Sequence, residues 1–106
     1  MLVLFDQGTP VPLRQLLSRH TVETAYERGW SMLANGELLR AAEAAGFDVL
    51  VTTDTKMQYQ QNLEGRHIAV VALSTTSWPR IRAAGEQVVS AVDRATAGYF
   101  VEVHVP

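Results

Sequence analysis

A chain of 106 residues with 47% apolar content has room for one hydrophobic core, which predicts a single domain over residues 1–106. Its 9 basic and 11 acidic residues give a formal charge of −2, which excludes a protein that holds nucleic acid by bulk positive charge and leaves only a local patch or a metal for that task. The lack of cysteine removes disulfides, thiolate metal sites and thiol nucleophiles, and suits a reducing, cytoplasmic compartment.

The chain opens on Leu2-Val3-Leu4-Phe5, a continuous apolar run of the kind that a strand buried on both faces shows. Asp6 cuts it after far fewer residues than a signal peptide or membrane span requires, and no later stretch approaches about 18 uncharged apolar residues, so a soluble protein without a membrane anchor is expected. Gly8, Pro10 and Pro12 then break the chain, and Leu13, Leu16 and Leu17 recur at helical spacing, which predicts a short helix ending near His20. Val22, Thr24 and Tyr26 alternate with Thr21, Glu23 and Ala25, a period of two whose mixed polarity places this second strand at a sheet edge.

Residues 29–36 read as a loop holding Trp30, Met32 and Leu33. Asn35 is a natural N-cap for a helix whose stripe is Leu38, Leu39, Ala42 and Ala45 and which stops at Gly46. A third strand covers Val49–Thr52, a short polar helix or turn covers residues 58–63, and a wholly apolar fourth strand covers residues 68–73. Pro79 opens a helix with Ile81, Ala84, Val88 and Val92 on one face, and Gly98 releases it into a fifth, alternating edge strand over residues 99–105.

Strand and helix alternate throughout, which predicts an α/β fold: a three-layer αβα sandwich around a five-strand, mainly parallel sheet. Right-handed crossovers favour the strand order 2-1-3-4-5. That order reverses direction between strands one and three. Ligands of open α/β sheets bind beyond the carboxyl ends of the strands at such a point, and Asp6 and Asp54, the latter closing Thr52-Thr53-Asp54, emerge there side by side.

Carboxylates converging on a cleft hold Mg²⁺ or Mn²⁺, because hard cations take oxygen ligands, and phosphodiester hydrolysis is the natural use of such an ion. Glu37, in the first turn of the second helix, is the candidate third acid. The plain alternative is that each aspartate caps the helix after its strand and that Glu37 answers the helix dipole.

Leu4-Phe5-Asp6, an acid opening a helix and Val51-Thr52-Thr53-Asp54 together resemble the PIN domain superfamily of metal-dependent ribonucleases, and more closely the small PIN-like proteins of bacteria. The likeness spans roughly residues 3–103 and is densest from Asn35-Gly36-Glu37-Leu38-Leu39 through Gly46 to Asp54 and on to Tyr59-Gln60-Gln61-Asn62-Leu63. It implies that Asp6, Glu37 and Asp54 are the catalytic and metal-binding acids, with Mg²⁺ or Mn²⁺ as cofactor and Asn35, Thr52, Thr53 and Lys56 in support. The first acid of the family maps to Asp6, and its T-x-D step maps to Thr52 and Asp54. The middle acid falls on Asn35, with Glu37 two residues later, and a further family acid falls on Lys56. The resemblance therefore implies one of two functions: an RNA-cleaving enzyme, the toxin half of a toxin–antitoxin pair, or a catalytically degenerate module that binds RNA or a protein partner such as an antitoxin.

Other constellations are weaker. A phosphoacceptor receiver domain needs a second acid beside Asp6 and a lysine after strand five, and an aspartyl-phosphate phosphatase needs an acid where Gly8 stands. His20, His67 and His104 have no mutual spacing suited to a metal. Trp30 and Trp78 read as core or interface anchors, although Trp78 with Arg80 and Arg82 also offers a stacking platform. Arg14, Arg19, Arg28, Arg40 and Arg66 suit solvated helix faces, two of which a homodimer would join around its acidic crevices.

Overall fold

The apolar runs assemble into one sheet of five parallel strands: β1 (Leu2–Phe5), β2 (Thr21–Thr24), β3 (Val49–Thr52), β4 (Ala69–Leu73) and β5 (Phe100–Val103), in the order β2-β1-β3-β4-β5. The structure is a computed structural model and describes residues 1–57 and 62–106. The order and parallel pairing are those the alternating pattern predicts. β3 and β4 are buried along their whole length and β1 from Val3 onward, whereas β2 and β5 carry exposed positions, as strands at the two edges must.

Because side chains alternate across a strand, the sheet divides the interior into two layers. Val3, Phe5, Val49, Val51, Val71 and Leu73 face Leu13, Leu17, Ile81, Val88 and Val92. On the other face Leu4, Leu50 and Val70 meet Leu38, Leu39, Ala42, Phe47 and Met57. Trp78 packs against the first layer and Trp30 against the second, where it meets Phe47 edge-on at 6.2 Å, so both tryptophans act as anchors.

The helical segments differ in detail from the sequence expectation. The first is a 3-10 helix over Val11–Leu17, opened by the i to i+3 bond from the Leu13 N–H to the Pro10 carbonyl at 3.1 Å; Pro12 has no N–H to donate to an α-helical ladder. Helix α1 spans Asn35–Ala44, with Ala34 rather than Asn35 as its N-cap, and the Ala34 N–H is taken by the Glu37 carboxylate at 3.3 Å. The helix expected to run unbroken from Pro79 divides into α2 (Trp78–Ala83) and α3 (Gly85–Asp93). Leu16 Cδ1 lies only 3.1 Å from where a Gly85 Cβ would stand, so the missing side chain admits the 3-10 helix at the break. Ile81, Val88 and Val92 are buried all the same, because both halves turn the same face inward.

Of the polar helix or turn expected over residues 58–63, residues 58–61 lie outside the described residues, and with them Tyr59, Gln60 and Gln61. Among the described residues, no helix is long and apolar enough to cross a membrane.

Candidate functional site

β1 sends its crossover toward β2 and β3 sends its crossover toward β4, so the two loops part and open a crevice above the carboxyl ends of both strands. Asp6 is the first residue beyond β1, and its N–H still donates to the Val51 carbonyl at 3.0 Å, which locks its backbone to β3. Thr52, the last residue of β3, is fully buried and uses its hydroxyl twice. It donates to Asp6 Oδ2 and accepts from the Asp54 N–H at 3.0 Å. One hydroxyl therefore ties the Asp6 carboxylate to the Asp54 backbone.

The second Asp6 oxygen is held by a residue that the sequence reading passed over. The Thr9 hydroxyl stands 2.6 Å from Asp6 Oδ1 and 3.0 Å from the Val51 carbonyl. A hydroxyl has one proton, and the nearer, charged acceptor takes it. The sequence signal was present: a hydroxyl three residues beyond an acid closes a turn, and the Thr9 N–H donates to the Asp6 carbonyl at 3.2 Å. Gly8, between them, leaves no room for a side chain, since a Cβ there would meet Thr53 Oγ1 at 2.5 Å. Thr53 thus shapes the β1 loop by contact with its backbone.

Asp54 is held in the same manner. Its Oδ1 accepts from the Lys56 N–H at 2.9 Å, and its Oδ2 accepts from Nδ2 of Asn35, which reaches across from the first turn of α1. Asn35 thus stands one residue inside the cap position that local propensity would give it, and its amide N–H serves the charged Asp54 carboxylate. With Nδ2 committed to Asp54, Asn35 Oδ1 is the face of the amide left for another partner. Glu37 is exposed and turned back to its own helix N-terminus. Among the described residues no three or more His, Cys, Asp or Glu gather as a metal-holding group. The structure thus joins Asp6, Thr52, Asp54 and Asn35 by hydrogen bonds, with Thr53 beside them, and leaves Glu37 at the helix cap. Lys56 enters through its backbone.

Among the described residues two cavities border Asp6. One, of about 210 Å³, lies toward α1 and is lined by Trp30, Leu33, Asn35 and Leu38 together with Asp6. The other, of about 370 Å³, lies toward β2 and is lined by Thr9, Val11, Arg14, Tyr26 and Glu27 together with Asp6. Trp30 is steadied by the Arg28 guanidinium, 5.4 Å from its ring centre, and Arg28 is itself paired with both oxygens of Glu23. That pairing lowers the Glu23 pKa and raises that of Arg28, the hydrogen bond between them being the largest cause in each case. The arginines of the sequence are largely spoken for: Arg14 by Glu27, Arg19 by Asp93 and Arg66 by Glu43. Arg80 donates to the backbone oxygens of Val105 and Pro106, both at 2.9 Å, so it fastens the chain after β5.

No protein family, curated protein or solved structure matches this chain.

Proposed function

We propose that this chain is a PIN-like ribonuclease that hydrolyses RNA phosphodiesters with one Mg²⁺ or Mn²⁺ held between Asp6 and Asp54. The observation that carries the reading is the Thr52 hydroxyl, which couples the two strand-end acids across β1 and β3 at the sheet's switch point. The donor set fits the ion: carboxylate, amide and hydroxyl oxygens are hard ligands, and bonds from Thr9, Thr52, Lys56 and Asn35 fix the orientation of both carboxylates. Asp6 and Asp54 would hold the ion, with Asn35 Oδ1 as a neutral third ligand, while Thr52 and Thr9 keep Asp6 in place; the ion would supply positive charge for a phosphodiester oxygen and lower the pKa of an attacking water. A cytoplasmic compartment, with RNA as substrate and a protein antitoxin as partner, completes the reading.

Titration calorimetry with Mn²⁺ and cleavage of single-stranded and structured RNA test it together. Binding and cleavage in the wild type, both lost in Asp6→Asn and Asp54→Asn proteins, support the assignment. Cleavage that persists in both variants overturns it.

A second reading rests on a different observation. Asn35 meets Asp54 with an amide where an acid would share a cation, and Glu37 is engaged at Ala34. A crevice closed in this way by protons suits a non-hydrolytic module that binds RNA or a protein partner. It calls for no Mn²⁺ binding and for an interaction that survives loss of both aspartates.

A further inference from the structure

Asp6 lines both cavities, so a ligand that reaches it has room on each side, as a chain passing across Asp6 requires. The larger pocket, about 370 Å³, has the size of a small-molecule site, for which about 300–1,000 Å³ is usual.

Its lining decides what enters. Tyr26 is 79% exposed and Val11 55% exposed, and both border the pocket, so an aromatic ring and an apolar wall stand open to solvent beside an acidic residue. Arg14, the one cation among the described residues that line it, is already paired with Glu27, and that hydrogen bond is the largest cause holding the Glu27 carboxyl below its usual range. With its charge matched, Arg14 has little left for a phosphate. An open aromatic face beside an apolar wall suits a nucleobase, which presents a π-face for stacking.

We propose that the pocket formed by Val11, Arg14 and Tyr26 is a base subsite for single-stranded RNA. A base stacks on Tyr26 while the adjoining phosphodiester crosses Asp6. The proposal rests on the ribonuclease reading for the identity of the substrate, and deepens it by naming a single strand with an unpaired base beside the scissile phosphate. Stacking tolerates any base, so sequence preference at this subsite is weak.

The test is binding of a fluorescein-labelled oligouridylate in EDTA, where cleavage does not intrude, followed by cleavage of the same strand with Mn²⁺. Tyr26→Ala should weaken binding about five- to 150-fold, the range that loss of one base–aromatic stack spans, and Tyr26→Phe should restore it. Because Tyr26 is exposed, circular dichroism of both variants should match the wild type. Tyr26→Ala binding as tightly as wild type overturns the subsite, and so does a wild type that does not bind the strand in EDTA. If binding depends on Tyr26 but the wild type does not cleave with Mn²⁺, the subsite stands and the hydrolytic reading falls. If the wild type cleaves while Tyr26→Ala binds unchanged, the hydrolytic reading stands and the subsite falls.

Discussion

Replacing Asn35 by aspartate tests the crevice from two directions, because the new side chain has the old shape and the opposite hydrogen-bonding character. In the wild type Asn35 Nδ2 donates to Asp54 Oδ2. The variant puts an oxygen there, losing a bond to a charged acceptor worth about 1.5–3 kcal/mol. It also sets two carboxylates side by side, and like charges about 4 Å apart repel by about 4 kcal/mol at an effective dielectric of about 20. Both residues are partly open to solvent, which screens the repulsion, so a net loss of about 2–4 kcal/mol in EDTA is expected at neutral pH. For a domain of this size each kcal/mol moves the melting midpoint by about 4–8 °C, so a fall of roughly 10 °C or more should be seen by fluorescence of Trp30 and Trp78. Mn²⁺ should narrow the difference, because the variant binds the ion more tightly than the wild type. The added carboxylate becomes a ligand, and at a hundredfold excess over its dissociation constant the ion restores about 2.7 kcal/mol. Equal stability of variant and wild type in EDTA would refute the Asn35–Asp54 contact. A variant that is destabilised in EDTA and gains nothing from Mn²⁺ would refute the cation site and leave the non-hydrolytic module.

Three further outcomes follow from the same geometry. Thr52→Val should cost about 2–4 kcal/mol in urea unfolding, since it removes one bond to a carboxylate and orphans the Asp54 N–H, while Thr52→Ser should keep most of the stability; a loss below about 0.5 kcal/mol would show that the hydroxyl is idle. Gly8→Ala should cost about 1–3 kcal/mol by overpacking against Thr53 Oγ1, and a double-mutant cycle with Thr53→Ala should return most of it; additive losses would argue against the close approach. The Asp93 pKa lies below its ordinary 3.8, chiefly through the hydrogen bond with His20 and then through the charge of Arg19. A depressed carboxyl pKa contributes stability that is present above 3.8 and is lost as pH falls through the native value, so Asp93→Asn should flatten the acid limb of the stability profile. A wild-type limb unchanged by the substitution would contradict that linkage.

The strand order was legible because burial leaves a compositional mark. Leu2–Phe5, Val49–Thr52 and Ala69–Leu73 are nearly unbroken apolar runs and fill the middle of the sheet, whereas the mixed runs around Val22 and Val101 lie at its edges. Asp6 and Asp54 were legible for a related reason: in a parallel sheet the residue after an apolar run stands at the carboxyl end of a strand. What escaped the sequence depends on neighbours that it does not show. Nothing local distinguishes Asn35 as a cap from Asn35 as a partner of Asp54, 19 residues away. Gly85 lies inside an amphipathic run, and only the fold shows that Leu16 of the 3-10 helix approaches it closely. Thr9 carried a turn signal, but its place on Asp6 needs the sheet to set the loop over Val51.

The bonds around the two aspartates sort by sequence distance, and the sorting bears on whether these acids are more than caps. Each has one local donor, Thr9 for Asp6 and the Lys56 N–H for Asp54, and these are the bonds that a turn or helix start requires. Each also has one donor from another element, Thr52 for Asp6 at a separation of 46 residues and Asn35 for Asp54 at 19. A cap needs no such partner, since its work is done within its own loop. The distant donors fix both carboxylates relative to the sheet and to α1, and fixing a carboxylate before a ligand arrives is what raises its power to bind a cation or a phosphodiester's counter-charge. Thr52 couples the two sides through one oxygen, so a disturbance at Asp54 reaches Asp6 across the strand end. Two independent caps would not transmit it.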